Sequence, residues 1–240
     1  MSHRGCVETD TRQRVLESAT RLFAERGYRD TTVHEICEQA GANIAAVNYY
    51  FGGKEKLYGA VWRHAYSLTR ESRDTVLDPD GECPPEQQID HFVRTRLEDV
   101  SSAGPASYFW RILEKEHHDP TPAHDAIIHE VFLPLGQRLE RLIARMLDGR
   151  GSPRQWRLCL FSLVGTMGFL TAHRGIIRRV FGHDVLDAAD CHLLHEHLVR
   201  FFLGGIAATR RALSRPAPPR AMAPGEAPAA PEPPTAQGDR

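Results

Sequence analysis

The sequence is poor in several features that mark other classes of protein. Its 240 residues include only five cysteines, which are scattered, odd in number and form no C-x-x-C pair. This pattern argues against a disulfide framework and against a thiolate zinc site. No uninterrupted apolar stretch reaches the ~18 residues that a membrane span needs, and the first residues form no apolar signal region. We therefore expect a cytoplasmic protein with no membrane partner.

An excess of charge of one sign is also missing. Thirty lysines and arginines face 31 aspartates and glutamates, which gives a formal net charge of -1. Any surface that binds nucleic acid must therefore be a local basic patch. The near-zero charge also disfavours a non-specific, nucleoid-type DNA binder, because that mode of binding depends on neutralising many phosphates.

Motifs of common enzyme classes are absent as well. The stretch GGKEK lacks the G-x-x-x-x-G-K-[ST] spacing of a phosphate-binding loop, and neither H-E-x-x-H nor G-x-S-x-G occurs. Glu114 and His117 could form an acid–base pair, but many helix surfaces offer such pairs. A small helical enzyme is therefore the weaker alternative, and we predict no enzymatic activity and no cofactor.

The 13 histidines raise the question of a metal site. His117, His118 and His124 are close together in the sequence. Cys191 and His195 are spaced i,i+4, which could place two metal ligands on one helix face. The pattern specifies no further carboxylate or histidine beside them. A solvated or interface face is the better interpretation, and we predict no metal site.

Strand-like alternation is nearly absent, and helical periodicity takes its place. The first periodic segment, 11–26, ends before Gly27, as a helix with a C-terminal glycine would. The pattern predicts an all-α protein with nine or ten helices. The other predicted helices are 33–40, 44–50, 54–76, 86–102, one from 107 to the turn DPTP, 123–147 with a kink at Pro134, 154–180 and 187–208.

The second and third helices meet at the turn Gly41-Ala42-Asn43, which is typical of a helix-turn-helix. Thr32, with Glu35 three residues later, fits a capping box. Ile36 and Ile44 are expected to share the small core between the two helices. The outward residues of the second helix would be Ala45, Ala46, Asn48 and Tyr49. An asparagine can bind adenine through two hydrogen bonds, and an alanine methyl can contact the methyl of thymine.

The stretch TTVHEICEQAGANIAAVNYYFGGKEKLY resembles the DNA-binding signature of the TetR family of bacterial repressors. The resemblance covers roughly residues 11–61. It implies that Thr32, Tyr50 and Lys54 contact DNA phosphates. It places Asn43, Ala45, Ala46 and Asn48 at or near base edges, and Tyr49 at the DNA backbone or a base. Phe51 is expected in the core, and Arg29 and either Arg4 or Arg12 could add contacts from the flanks.

The same resemblance implies a dimeric repressor that binds a pseudo-palindromic operator in double-stranded DNA and is released by a small-molecule effector. The helix 54–76 would link the two functions. The stretch EKEHHDPTPAHDAIIHEVFLPL is similar to a segment of the CecR-like branch. The chain then divides into an N-terminal arm (1–10), a helix-turn-helix domain (11–56), a helical domain for effector binding and dimerisation (57–213), and a disordered tail rich in proline and alanine (214–240).

Two surfaces of the larger domain are predicted. An effector pocket needs an apolar cavity with a few polar groups, and its expected lining is Phe109, Trp110, Leu113, Glu114, His117, Phe132, Met167, Phe169 and His173. Plain core packing is the alternative for each of them. The homodimer interface is predicted on the helices 154–180 and 187–208, because a helix that is apolar on every side must be buried on every side. The alternative is that 154–180 is the central core helix.

Overall fold

The computed structural model describes residues 3–69, 77–118, 120–187 and 190–215, with side chains from residue 10 onward except that of His118. Within these ranges the chain forms ten helices and no strand, which confirms the predicted all-α fold and the number of helices. The predicted tail lies outside the described residues from residue 216 onward.

Three helices form a small N-terminal unit, here called the head. They are α1 (His3–Arg26), α2 (Val33–Ala40) and α3 (Ala45–Phe51). Helix α1 begins eight residues before the predicted start, so residues 3–10 of the predicted arm are helical. Periodicity missed this extension because it has no apolar stripe, whereas an existing helix extends at the gain of one hydrogen bond per residue. The core of the head is apolar and buried, with Val15, Phe23, Ile36, Val47 and Leu57 at its centre.

Local signals place the two short helices of the head as predicted. The Thr32 hydroxyl accepts the Glu35 N–H, and the Glu35 carboxylate accepts the Thr32 N–H, which completes the capping box of α2. Gly41 ends α2 with a φ of 59°, a left-handed conformation that favours glycine. The chain can therefore turn sharply from α2 into α3.

Helix α4 (Lys54–Ser67) connects the head to the remaining helices, here called the body. The predicted continuation of this helix to Val76 falls on residues 70–76, which lie outside the described residues. One side of α4 packs in the head through Leu57 and Val61. A second stripe, Tyr58, Trp62 and Tyr66, follows i,i+4 spacing, and the rings of Trp62 and Tyr66 contact Phe109 of the body.

The first helices of the body are α5 (Pro85–Ser101), α6 (Tyr108–His118) and α7. Helix α7 has three consecutive parts, namely Ala123–Ile127, a π-helical turn at Ile128–Phe132, and Leu133–Met146. The N–H of Leu133 bonds to the carbonyl of Ile128, five residues back. Pro134 has no N–H and its ring crowds the carbonyl four residues before it, so the wider turn accommodates the predicted irregularity.

The last helices are α8 (Pro153–Ala172), α9 (Arg174–Phe181) and α10 (Cys191–Leu213). The prediction of one helix over 154–180 is wrong, because the chain bends by 80° between α8 and α9. The break lies at His173, whose backbone angles (φ -118°, ψ 23°) are not helical. After α9, the carboxylate of Asp184 binds Arg174 at 2.6 Å and Arg178 at 2.9 Å, which holds the following segment against that helix. Burial raises the pKa of Asp184, but hydrogen bonds from the two arginines outweigh it and the pKa is lowered.

Among the described helices, none is by itself both long and apolar enough to cross a bilayer, although the bent pair α8 and α9 together meets the length and composition requirement.

Candidate functional site

Helix α3 presents a surface of small and polar side chains. Val47 and Phe51 are buried against α1 and α4, so the prediction that Phe51 belongs to the core is confirmed. The predicted DNA-binding residues of α3 are exposed or half-buried, namely Ala45, Ala46, Asn48, Tyr49 and Tyr50. The rings of Tyr49 and Tyr50 meet edge to face at 4.8 Å, which fixes the exposed Tyr49 ring beside its neighbour.

Of the two residues just before α3, Asn43 supports the start of the helix, whereas Ile44 differs from expectation. Asn43 Oδ1 accepts the N–H of Ala45 at 2.9 Å, so its oxygen stabilises the start of the helix and its amide group remains as a donor. The prediction that Ile44 lies in the small core is wrong, because 49% of this residue is exposed. Ile44 precedes the first residue of α3, and Val47 and Phe51 already fill the space that it would occupy.

Thr32 has a structural role that competes with its predicted phosphate contact. Its hydroxyl donates to Glu35 Oε2 at 2.7 Å, so the hydroxyl hydrogen is already used. The backbone and side-chain hydrogen bonds from Thr32 lower the pKa of Glu35, and Arg26 adds an ion pair at 2.7 Å. The N-terminus of α2 still carries unpaired N–H groups suited to a phosphate.

Loss of the Thr32 cap should measurably lower the stability of the protein. Thr32→Ala should lower the free energy of unfolding by about 1 kcal/mol, because the N–H of Glu35 loses its acceptor. Thr32→Ser retains the hydroxyl and should cost only a few tenths of a kcal/mol. Urea unfolding at pH 7 measures both changes, and equal losses in the two variants would contradict a capping role for the hydroxyl.

Lys54 begins α4, as predicted, but its ammonium group has a partner within the protein. Its Nζ lies 4.3 Å from the centre of the Tyr28 ring, a cation–π contact. Burial lowers the pKa of Lys54, and the charges of Asp30 and Glu35 oppose that shift. Arg12, one of the predicted flanking residues, lies over the Phe51 ring at 5.1 Å. The side chain of Arg4 is outside the described residues.

Four of the predicted pocket residues belong to one aromatic and apolar cluster. Phe109 and Trp110 of α6 are buried, and the Phe109 ring contacts Trp62 at 5.4 Å and Phe132 at 6.0 Å. Leu113 packs against the same core. The guanidinium of Arg96 lies 3.6 Å from the centre of the Trp110 ring, which brings a charge into contact with this cluster. The spacing Tyr58, Trp62 and Tyr66 on α4 was the sequence signal for this side of the cluster.

The other predicted pocket residues lie elsewhere. Glu114 and His117 are exposed on α6, and Glu114 lines a cleft of 340 Å³ between head and body. Met167 and the exposed Phe169 line a groove between α8 and α10. His173 stacks on Phe169 at 4.6 Å, at the bend after α8. The nine residues are therefore distributed over three places.

A buried carboxylate that the sequence did not reveal joins head and body. Glu116 is 1% exposed, and its Oε1 accepts a hydrogen bond from the Tyr58 hydroxyl at 2.8 Å. Its Oε2 accepts the N–H of Thr121 at 2.9 Å, in the turn before α7. Burial, followed by the hydrogen bond to Glu116, raises the pKa of Tyr58. Glu116 thus links α4, α6 and the start of α7.

A second connection joins α4 to the π-helical turn of α7. Arg63 binds Glu130 through two hydrogen bonds, from Nε and Nη2, both at 2.8 Å. The hydrogen bond from Arg63 lowers the pKa of Glu130. Both partners are well exposed, so this pair fixes relative position more than it adds stability.

The groove between α8 and α10 is an open, mostly apolar surface in the described part of the chain. It has a volume of about 760 Å³. Apolar and small residues line it, and several of its large side chains are exposed although a folded chain usually buries them. They are Phe161, Phe169 and Phe201, with Leu158 and Leu193 exposed on the same two helices.

Cys191 and His195 were predicted to lie on a solvated or interface face, and the solvated alternative does not hold for His195. His195 is 7% exposed, and its Nε2 lies 3.1 Å from Asp90 Oδ1 of α5. The Cys191 thiol lies 3.7 Å from the Ser101 hydroxyl. Among the described side chains, no group of three or more histidines, cysteines and carboxylates could hold a metal ion.

Comparison with known proteins supports this architecture on both sides of α4. Residues 15–61 match the sequence model of the tetR family of bacterial regulatory proteins. Residues 85–206, about half of the chain, match the model of the C-terminal domain of the transcriptional dual regulator CecR.

Individual relatives are similar to this chain either over most of its length or over about half of it. The chain is 27% identical to the dual regulator CecR of Shigella flexneri over 77% of this chain and 86% of the relative. It is 44% identical to the repressor AcnR of Corynebacterium efficiens over 47% of this chain and 51% of the relative. The FadR regulator of Bacillus subtilis, solved with stearoyl-CoA, superposes with a TM-score of 0.61 at 14% identity, over 80% of this chain and 98% of that one.

These matches confirm the predicted resemblance, and they agree with a regulator rather than an enzyme. They cover the head, the turn after α6 and the helices of the body. The chain belongs to the TetR family of transcriptional regulators, with a C-terminal domain of the CecR type.

Proposed function

We propose that the protein is a cytoplasmic, dimeric repressor that binds a pseudo-palindromic operator and releases it when a small molecule binds the body. The observation that carries this proposal is the combination of two surfaces on one chain. Helix α3 of the head has an exposed face, and an open apolar groove lies between α8 and α10.

The surface of α3 suits a major groove more than it suits a protein partner. The side chains of Ala45 and Ala46 are small enough for close approach to base edges, and Asn48 can hydrogen-bond adenine. The phenol groups of Tyr49 and Tyr50 and the first turns of α2 and α4 can bind phosphates. Because the net charge is near zero, affinity must come from this surface rather than from a general positive field.

The groove between α8 and α10 supports the dimer. A second copy placed across it would bury the exposed phenylalanines of both chains in a four-helix contact. Two heads would then contact half-sites about one turn of DNA apart, and the operator would share the two-fold symmetry of the protein.

Helix α4 is the proposed route from effector to DNA. It contributes Trp62 and Tyr66 to the aromatic cluster, and it is tied to the body through Tyr58 and Arg63. An effector that displaces this cluster would move α4 and change the spacing of the heads. Such release requires that the effector binds the two arrangements with different affinity.

Operator binding can be tested by separating positioning contacts from base contacts. Tyr50→Phe and Lys54→Ala should weaken binding to specific and unrelated DNA by similar factors, because phosphates are the same in every sequence. Asn48→Ala should change which bases are preferred and cost roughly 1–3 kcal/mol at one position. Selection from random DNA followed by fluorescence anisotropy measures both. The reverse pattern would contradict our assignment of roles.

Effector release needs a separate measurement. Titration of the protein–operator complex with candidate compounds should raise the operator Kd for at least one of them. Stearoyl-CoA is a first probe because a protein of the same fold was solved with it. Unchanged operator affinity with every compound that binds the body would contradict induction while leaving DNA binding intact.

A further inference from the structure

Ile44 has an unusual combination of exposure and rigidity. About half of its surface is open to solvent, although it stands next to the well-packed head. Its backbone has helical angles, φ -53° and ψ -35°, and its carbonyl accepts the N–H of Val47 at 3.3 Å. A β-branched side chain has few rotamers, so Ile44 presents an apolar surface that loses little entropy when it makes a contact.

The neighbours of Ile44 leave few polar alternatives at this end of the helix. The Asn43 oxygen already binds the N–H of Ala45. Ala45 and Ala46 have no hydrogen-bonding side chain. In a helix-turn-helix, the N-terminal residues of the recognition helix are the ones that contact base edges. Ile44 is the largest exposed apolar side chain at the start of α3. It would therefore lie close to the floor of the major groove.

We infer that Ile44 reads a thymine by contact with its 5-methyl group. In the major groove, that methyl group is the apolar feature that distinguishes one base pair from another. This inference rests on the proposed function and refines it, since it predicts a thymine in each half-site of the operator. Ala45 would widen the apolar contact, and the Asn43 amide can donate to an acceptor on an adjacent base.

The test removes the thymine methyl group and leaves the hydrogen bonding of the base pair unchanged. An operator is first selected from random DNA with the full-length protein. Each thymine is then replaced singly by deoxyuridine, which retains every hydrogen-bonding group and lacks only the methyl. For the wild type, one position per half-site should lose about fourfold in affinity, the effect of exposing about one methyl group. Fluorescence anisotropy at fixed salt measures each Kd.

Ile44→Ala completes a thermodynamic cycle. The variant should bind the thymine operator about fourfold or more weakly, and deoxyuridine at the same position should have no further effect. Sensitivity at other thymines should persist. Ile128→Ala is the matched control, because it removes the same atoms from an isoleucine that is 37% exposed on α7, outside the predicted dimer interface. It should leave every Kd unchanged.

Two outcomes would overturn the inference. Wild-type binding that ignores every deoxyuridine would show that no thymine methyl is read. Equal deoxyuridine sensitivity in wild type and Ile44→Ala would assign the methyl contact to another residue. In both cases the selected operator would still support the proposed function, whereas failure to select any sequence would overturn both.

Discussion

Replacing Phe201 with glutamate should convert the protein to monomers and weaken operator binding by about a hundredfold or more. Phe201 is 75% exposed in the groove between α8 and α10, so the substitution does not disturb the core of one chain. In the proposed dimer the carboxylate would become buried without a partner, which is strongly unfavourable. A monomer engages one half-site and loses the gain from linked binding, a factor of at least ~10².

Sedimentation equilibrium and operator anisotropy on the same samples test this prediction. Leu133→Glu is the matched control, since Leu133 is an apolar residue of α7 that is 48% exposed outside the groove. It should leave both mass and operator affinity unchanged. A dimer that survives Phe201→Glu would remove the groove from the interface, and a monomer with full operator affinity would contradict two-headed binding.

Replacing Glu116 with alanine should destabilise the protein by roughly 3 kcal/mol, because two buried donors lose their acceptor. The donors are the Tyr58 hydroxyl and the N–H of Thr121. Glu114→Ala is the matched control, since Glu114 is an exposed residue on the same helix and should change stability by less than about 0.5 kcal/mol. Urea unfolding at pH 7 measures both, and equal effects would contradict a structural role for the buried carboxylate.

The hydrogen bond between Tyr58 and Glu116 also predicts how the free energy of unfolding changes with pH in the alkaline range. Burial and the hydrogen bond to Glu116 raise the pKa of Tyr58 above its usual value of 10.0. The folded state therefore favours the neutral phenol, and the stabilisation is present below pH 10 and is lost as pH rises above it. The free energy of unfolding should fall there by up to about 1.4 kcal/mol per pH unit through this group. Tyr58→Phe should make that decline shallower, and an unchanged slope would contradict the assignment.

Local chemistry made much of the head predictable from sequence. The capping box of α2 and the turn at Gly41 depend on residues within a few positions of each other, and both were correctly predicted. Helical periodicity likewise identified the body helices, except that it joined α8 and α9 into one. The position of Ile44 was missed because its exposure depends on how Val47 and Phe51 fill the core, which periodicity does not specify.

The other differences arise where no local pattern marks the structure. The chain leaves the helical conformation at His173 (φ -118°, ψ 23°), between α8 and α9, and helical periodicity did not indicate this break. The Tyr58–Glu116 hydrogen bond joins residues 58 positions apart, so no local sequence pattern predicts it. Six of the nine predicted pocket residues are apolar, yet four of these lie in the aromatic cluster and two in the groove, because apolar character alone does not distinguish a core from a groove. Their role in effector binding stays a prediction.

The π-helical turn of α7 has a consequence for how the chain tolerates changes in length. Such a turn holds one residue more than an α-helical turn of the same rise. The helical parts before and after it therefore present the same sides to the core as they would in a regular helix without the extra residue. Deleting one residue from Ile128–Phe132 would restore regular helix without rotating Leu139 or Leu142 out of the core. Pro134 would then clash with the carbonyl four residues before it. A chain with one residue deleted from this turn should therefore be stable only when Pro134 is also replaced. The deletion is thus expected to be tolerated only together with that substitution.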